Sequence, residues 1–184
     1  MNPVRVGVLL APGFEEIEAI TPIDLLHRGR VEVTVVGVSS LEVTGAHGIT
    51  LLADALIGDV SWDDFDAVVA PGGMPGSKHL AASAEVQDVL VKMHRKKRVV
   101  AAICAAPALV LAPLGILDGR RAVCFPGLED EAPGVTFLDQ DTAVDGHVIT
   151  GRGAGKSGLF ALEILAVLKG RGIADEIGRR SLYL

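Results

Sequence analysis

The chain has 184 residues, 49% of them hydrophobic, with 17 basic against 23 acidic side chains and a formal net charge of −6, which is the make-up of one core-bearing domain and excludes a mainly disordered chain. Five Phe, one Trp and one Tyr on an acidic chain supply neither the basic face nor the stacking platform of a nucleic-acid binder. Two cysteines with no CxxC pair exclude a disulfide scaffold and a zinc ribbon, and the expected compartment is the cytoplasm.

Short β-branched runs alternate with helical stretches along the chain. Residues 4–10 (VRVGVLL) read as a strand, followed by a Pro-Gly turn and a helix from about Glu15 to Arg28. Residues 31–37 form a second strand, and residues 41–52 a small edge hairpin with a glycine-rich tip. Residues 66–70 (DAVVA) run as a strand into PGGMPGSK and then helical sequence to about His94. A strand over 98–103 is followed by a sharp turn, a helix that Pro113 to Gly115 ends, and a short strand over 121–125. The tail carries a hairpin, TAVDGHVIT, in which Asp145-Gly146 suits a type I′ turn, and a long amphipathic helix over about 156–168. This alternation predicts an α/β fold, with a mostly parallel sheet covered by helices on both faces and ligands outside the carboxyl ends of the strands. Three loops there hold unusual residues: Gly13–Glu18, Pro71–Gly76 and Cys104–Pro107.

The start, MNPVRVGVLLAPGFEE, lacks the pattern of a cleaved signal. Val99 to Leu117 is 19 residues without a charge, long enough for a membrane span. Its Pro107, Pro113, Gly115 and many alanines instead fit a buried strand running into a helix. Three other motifs fail on their spacing. GAGKS at Gly153–Ser157 has Thr150 where a phosphate-binding loop needs glycine, and the Asp139–Gly146 stretch has Ala143 and Val144 where a calcium loop needs ligands and glycine. Histidines 27, 47, 79, 94 and 147 show no ligand spacing, so no metal site is expected.

Cys104 lies where the strand ends and the helix starts, among small neighbours Ala102, Ala105 and Ala106. A thiol at a helix N-terminus has a stabilised thiolate, with pKa values of roughly 3.5–7.5 typical of such sites. A lone cysteine is also a common core residue, and it is the strand-end position that favours a nucleophile. Glu15, Glu16 and Glu18 crowd the first helical turn, where some compensate the helix dipole. Glu16 and Glu18 cannot share a face, so one carboxylate can enter the pocket while the others cap or meet a partner. A carboxyl beside a thiol in a dry pocket has a raised pKa and can shuttle protons. Gly72-Gly73 is either a plain turn or a means of bringing the Gly73 N–H to a ligand, paired with that of Ala105 as an oxyanion hole. Cys124 reads as a core residue of a strand lining the same sheet end, with a secondary redox role as the alternative.

With AAICAAP, EEIE near the start and VVAPGG between them, the chain resembles the ThiJ/PfpI superfamily, most of all its Parkinsonism-associated deglycase branch and bacterial relatives. The resemblance runs through LLAPGFEEIEAITPIDLLHRGRVEVTV, DAVVAPGG, KRVVAAICAAPALVL and ITGRGAGKSGLFALEIL, so that residues 1–184 are expected to be a single such domain. It implies a flavodoxin-like sandwich similar to class I glutamine amidotransferases, a homodimer, and no cofactor or metal. The family's nucleophile maps onto Cys104, its pocket glutamate onto Glu18 and its oxyanion donors onto Gly73 and Ala105. Departures stand at Ala105, where protease-like members have histidine, at Phe125 where some deglycase-branch members have histidine before the proline, at His47 in place of a rim arginine, and at Ala154 in place of a proline.

The implied activity is that of a glutathione-independent glyoxalase or deglycase, acting on methylglyoxal, related α-oxoaldehydes or their early glycation adducts. The alternative is an oxidative-stress sensor or chaperone in which Cys104 is oxidised to a sulfinate held by Glu18. A peptidase or amidotransferase is disfavoured by Ala105. Neither nucleic acid nor membrane is an expected partner.

Overall fold

A computed structural model describes residues 3–184; Met1 and Asn2 lie outside it. The elements in chain order are β1 (Arg5–Leu10), α1 (Glu16–Arg28), β2 (Glu32–Gly37), β3 (Glu42–Thr44), β4 (Thr50–Leu52), β5 (Ala55–Leu56), β6 (Ala67–Ala70), α2 (Gly76–Ala82), α3 (Ala84–Arg95) and β7 (Val99–Ile103). They continue with β8 (Arg121–Ala122), β9 (Thr136–Phe137), β10 (Thr142–Asp145), β11 (Val148–Gly151), α4 (Ser157–Lys169) and α5 (Arg171–Arg180).

Seven strands form the central sheet in the order β10-β11-β7-β6-β1-β2-β5, and only β10 runs antiparallel to its neighbour. The strands lack polar alternation because both faces are covered. Along β6, Ala67 and Val69 pack with α1 and α4, whereas Val68 and Ala70 pack on the opposite side with Leu80 of α2 and Val86, Leu90 and Met93 of α3. Successive side chains of a strand point to opposite faces, so both faces must be apolar. The result is the expected single-domain α/β fold with a mostly parallel sheet. The 41–52 segment forms the expected hairpin, β3 pairing antiparallel with β4.

Several local expectations change. The helical run to His94 breaks at Ser83, whose Oγ accepts the Val86 N–H at 3.3 Å and caps α3. Beyond Cys104 the helix is irregular. Leu109 N–H donates to the Ala105 carbonyl in α fashion, but Ala112 N–H reaches back to Pro107, five residues, and a 3₁₀ turn over Ala112–Leu114 ends at Gly115. Pro113 has no N–H to continue the ladder. The strand over 121–125 shrinks to β8, which pairs with β9 outside the main sheet.

In the tail hairpin Asp145 pairs with Val148, so the turn centres on Gly146-His147 rather than Asp145-Gly146. Gly146 has φ +64°, whereas His147 is not in the left-handed region; a type I′ turn needs both. The α4 helix is apolar on nearly every side rather than amphipathic, because α5, which the sequence reading lacked, packs over it. Among the described residues no helix is long and apolar enough to cross a membrane, and Val99–Leu117 divides between β7 and the irregular helix.

The loop after β8 is tied to the sheet by Thr150, 1% exposed, whose Oγ1 accepts the buried Val123 N–H at 2.9 Å. Thr150→Val keeps the shape but strands that amide, and is expected to cost about 1–3 kcal/mol in urea unfolding. An unchanged midpoint would show that this hydrogen bond does not hold the loop.

Candidate active site

At the carboxyl end of β7 the chain turns sharply. Cys104 has φ +63°, a left-handed conformation uncommon for a residue with a Cβ. It is held there from both sides: its N–H donates to the Gly151 carbonyl at 2.9 Å, and its own carbonyl accepts the Phe125 N–H at 2.8 Å. Ala102 and Ala106 are fully buried beside it, and their small side chains give the turn room. Cys104 as a whole is left partly exposed.

Glu18, two residues into α1, is completely buried. Its Oε2 accepts the Gly72 N–H at 2.9 Å, while Oε1 has no hydrogen-bond partner, and the Cys104 thiol is the carboxyl's polar side-chain neighbour. Gly72 is the spacer between them. A Cβ at that position would lie 2.5 Å from Glu18 Oε2 and 2.6 Å from the Cys104 Cβ. Gly73 turns through φ +92°, and a Cβ there would lie 2.3 Å from the Glu15 nitrogen. The Gly73 and Ala105 amides lie on the sulfur's side of the turn and favour the thiolate of Cys104. Further hydrogen bonds lock the loops together, Glu15 N–H to the Gly72 carbonyl and Gly76 N–H to the Gly13 carbonyl, both at 3.0 Å. The structure thus brings Cys104, Glu18, Gly73 and Ala105 to one point.

Burial dominates the electrostatics of this cluster. It pushes the Glu18 carboxyl up to about 7, against the opposing effect of its hydrogen bonds with Cys104 and Gly72. Beside an ionised Glu18, desolvation first and the carboxylate charge second push the Cys104 thiol up to about 12, while the Gly73 and Ala105 amides pull it down. The depression expected of a thiol at a helix N-terminus is therefore opposed for as long as Glu18 is ionised. The helix behind Cys104 is short and irregular, and a buried carboxylate outweighs its few aligned dipoles. The thiol and carboxyl form a coupled pair, in which the charge of one sets the proton affinity of the other.

The other two glutamates behave differently. Glu16 is buried, which favours its protonated form, but the His47 ring, the His47 amide and the Ile49 amide bind its oxygens (2.8, 2.7 and 3.3 Å) and hold it below the usual carboxylate range. The His47 imidazole is raised by that hydrogen bond and by the charges of Glu15 and Glu16. This pins the β3–β4 hairpin to the start of α1, so His47 belongs to a rim cluster. Glu15, Glu16 and His47 each bring a ligand atom within 4.8 Å of the others, a grouping that spacing along the chain does not reveal.

Cys124 is buried, as expected, but lies just beyond β8 rather than within a strand of the main sheet, packed with Ala108 and Ala132. Burial and the charge of Glu129 push its thiol up to about 12. It borders a cavity of about 270 Å³ with Glu129, Asp139 and Arg152. Phe125 is 48% exposed and lies over Gly153, so a ring occupies the place where a pocket base was considered.

The DJ-1/PfpI family pattern matches residues 4–167. The chain is 35% identical to protein DJ-1 homolog B of Arabidopsis thaliana over 97% of its own length, and spans 41% of that protein. It spans less than half of homolog A as well, 44%. A protein of Pyrococcus abyssi named as a deglycase is 32% identical, with 90% of this chain and 100% of that one aligned. Among solved structures, a DJ-1 superfamily protein of Salmonella typhimurium superposes with TM-score 0.94 at 36% identity, covering 98% of this chain and 99% of that one. Oxidized DJ-1 of Toxoplasma gondii gives 0.94 at 34% identity, covering 97% and 98%.

The raised Glu18 has a consequence for stability. Between the unfolded value of 4.5 and the folded value of about 7, the folded state retains a proton that the unfolded state loses, so stability falls as pH rises. Glu18→Gln removes this loss. In urea unfolding at fixed protein concentration, the variant is expected to gain roughly 3 kcal/mol on wild type between pH 4.5 and 8. A difference independent of pH would contradict the raised value.

Proposed function

The chain belongs to the DJ-1/PfpI family, and from that premise we propose that it is a cofactor-independent, cysteine-dependent glyoxalase or deglycase, acting on α-oxoaldehydes such as methylglyoxal or their early adducts. The observation that carries this reading is the buried Glu18 carboxyl set against the Cys104 sulfur across Gly72. Two N–H groups, from Gly73 and Ala105, face the sulfur, whereas Glu18 receives one, from Gly72, and leaves Oε1 without a nitrogen or oxygen donor. With one proton between the two acids, the negative charge is better held on sulfur and the proton on Glu18.

In the proposed reaction the thiolate attacks the aldehyde carbon, forming a C–S bond. The two amides pass from sulfur to the developing oxyanion, which takes the proton of Glu18 to give a hemithioacetal. The Glu18 carboxylate then removes the proton of that carbon, giving an enediol, and delivers it to the neighbouring carbon, while the proton of the hemithioacetal hydroxyl passes to the former ketone oxygen. This leaves an acyl thioester of a hydroxy acid, which water hydrolyses to restore the thiol. For methylglyoxal the sum is one water added and one lactate released. Removal of free aldehyde also drains reversible adducts of amines and thiols, so both activities draw on the same site.

The same geometry supports a second reading, oxidation of Cys104 to a sulfinate that accepts a hydrogen bond from protonated Glu18, with chaperone or signalling consequences; the oxidized state of the Toxoplasma relative favours keeping it in view. Glu18→Gln separates the two, since glutamine still donates to a sulfinate but cannot shuttle protons.

A homodimer is also proposed. Ile17 and Ile20, three residues apart on α1, are 53% and 40% exposed, and Ile49 of the adjoining hairpin turn is 51% exposed, an apolar patch beside the site.

Proton NMR of freshly reduced protein with methylglyoxal, no thiol added, tests the catalytic reading. Wild type is expected to form lactate, with Cys104→Ser inactive and Glu18→Gln reduced by about 10²-fold or more; no lactate from wild type, or full activity in Glu18→Gln, overturns it. Sedimentation velocity tests the assembly. Ile17→Glu is expected to turn a dimer into a monomer, and a wild-type monomer at micromolar concentration would refute the dimer.

A further inference from the structure

His94 and His147 are separated by 53 residues in the chain and meet at the end of β7 opposite Cys104. His94 lies in the last turn of α3, and His147 in the tight turn between β10 and β11, where its carbonyl accepts the Val100 N–H at 2.9 Å. Both rings are half-buried. His94 Nδ1 and His147 Nε2 are 3.1 Å apart, and the ring centroids are 4.8 Å apart with the planes inclined by 38°.

These distances constrain how the rings are aimed. A ring nitrogen sits about 1.15 Å from its centroid, so a straight N–H···N bond of this length between on-axis rings would separate the centroids by about 5.4 Å. The observed rings are closer, and their nitrogen axes are therefore bent relative to the line between the nitrogens. If both nitrogens stood about 2.05 Å from one ion, their spacing would correspond to an N–metal–N angle of about 98° and a centroid separation of about 4.8 Å. The observed pair already has that spacing.

We infer that His94 and His147 form a two-imidazole site for a divalent transition-metal ion of the borderline class, Zn²⁺, Ni²⁺ or Cu²⁺, bound through Nδ1 of His94 and Nε2 of His147. Imidazole nitrogen suits these ions, and the open side of the half-buried rings leaves the remaining positions to water. Without metal, one of the two nitrogens carries the shared proton. On binding, that ring keeps its charge state by moving its proton to its other nitrogen, and no oxidant or reductant is needed. Burial, the facing ring and Arg120 hold His94 below the usual histidine range, and burial, Arg120 and Lys97 do the same for His147. Arg120 is itself paired with Asp145, at 3.3 Å, which moderates its repulsion of a dication. An ion here clamps the end of α3 to the β10–β11 turn, remote from Cys104.

Calorimetric titration of Zn²⁺ or Ni²⁺ into the 184-residue Cys104→Ser/Cys124→Ser protein, which has no thiol ligands, tests this. One saturable site is expected, weakened at least about tenfold by either His94→Ala or His147→Ala and unchanged by His47→Ala, which disrupts the Glu15–Glu16–His47 group. In the unsubstituted protein, the imidazole ¹⁵N resonances of His94 and His147 are expected to shift on adding the metal, a readout independent of whether the variants fold. The absence of saturable binding at millimolar metal, retained affinity in His147→Ala, loss in His47→Ala instead, or unmoved His94 and His147 resonances would each overturn the inference.

Discussion

Two acids share one dry pocket at the end of β7, and most of the surrounding structure follows from keeping them together. A fully buried carboxyl has no water to stabilise its charge, and Glu18 meets a single amide and a thiol. The closeness of the pair excludes any side chain between them, which fixes Gly72. Aiming the sulfur at the pocket needs a left-handed Cys104, and that costs on the order of 1–3 kcal/mol unless the surroundings hold it. The hydrogen bonds to Gly151 and from Phe125 supply that restraint. The parallel sheet provides rigid strand ends on which three separate loops converge, and the helices on its two faces exclude solvent from beneath the site.

The residues around the pair divide into distinct tasks. Gly73 and Ala105 present backbone donors to the sulfur, an arrangement that no side-chain substitution can replace. Glu16 and His47 anchor the hairpin at the rim, where a charged pair is compatible with partial exposure. The glutamates 15, 16 and 18 are neighbours in sequence, yet Glu16 is held below the usual carboxylate range and Glu18 above it. The difference lies in the number of donors each receives, since both are buried.

Much of this was legible in the chain. The unbroken apolar runs of VVAAI and AVVA required strands covered on both sides, and small residues around Cys104 required a tight turn at a strand end. The impossibility of Glu16 and Glu18 sharing a helical face separated their environments before any coordinates. What sequence did not show is what depends on distant segments. The His94–His147 pair joins residues 53 positions apart, and His47 reaches Glu16 across 31 positions; linear spacing carries no trace of either. The irregular helix after Cys104 reflects Pro113 and the packing beneath it, and α4 is apolar because α5 covers it. The opposing pull of desolvation and of an ionised Glu18 on the thiol is hidden for the same reason: the helix behind it is visible in sequence, whereas the burial is not.

The central claim is that the shared proton resides on Glu18 and the negative charge on Cys104 when the site is reactive. Thiolate absorbance near 240 nm, followed from pH 4 to 9 in Cys124→Ser protein, reports the sulfur directly. The account predicts that the thiolate appears with a midpoint below the value near 8.5 of a free cysteine. Absence of thiolate absorbance up to pH 9 would place the charge on the carboxylate and contradict it.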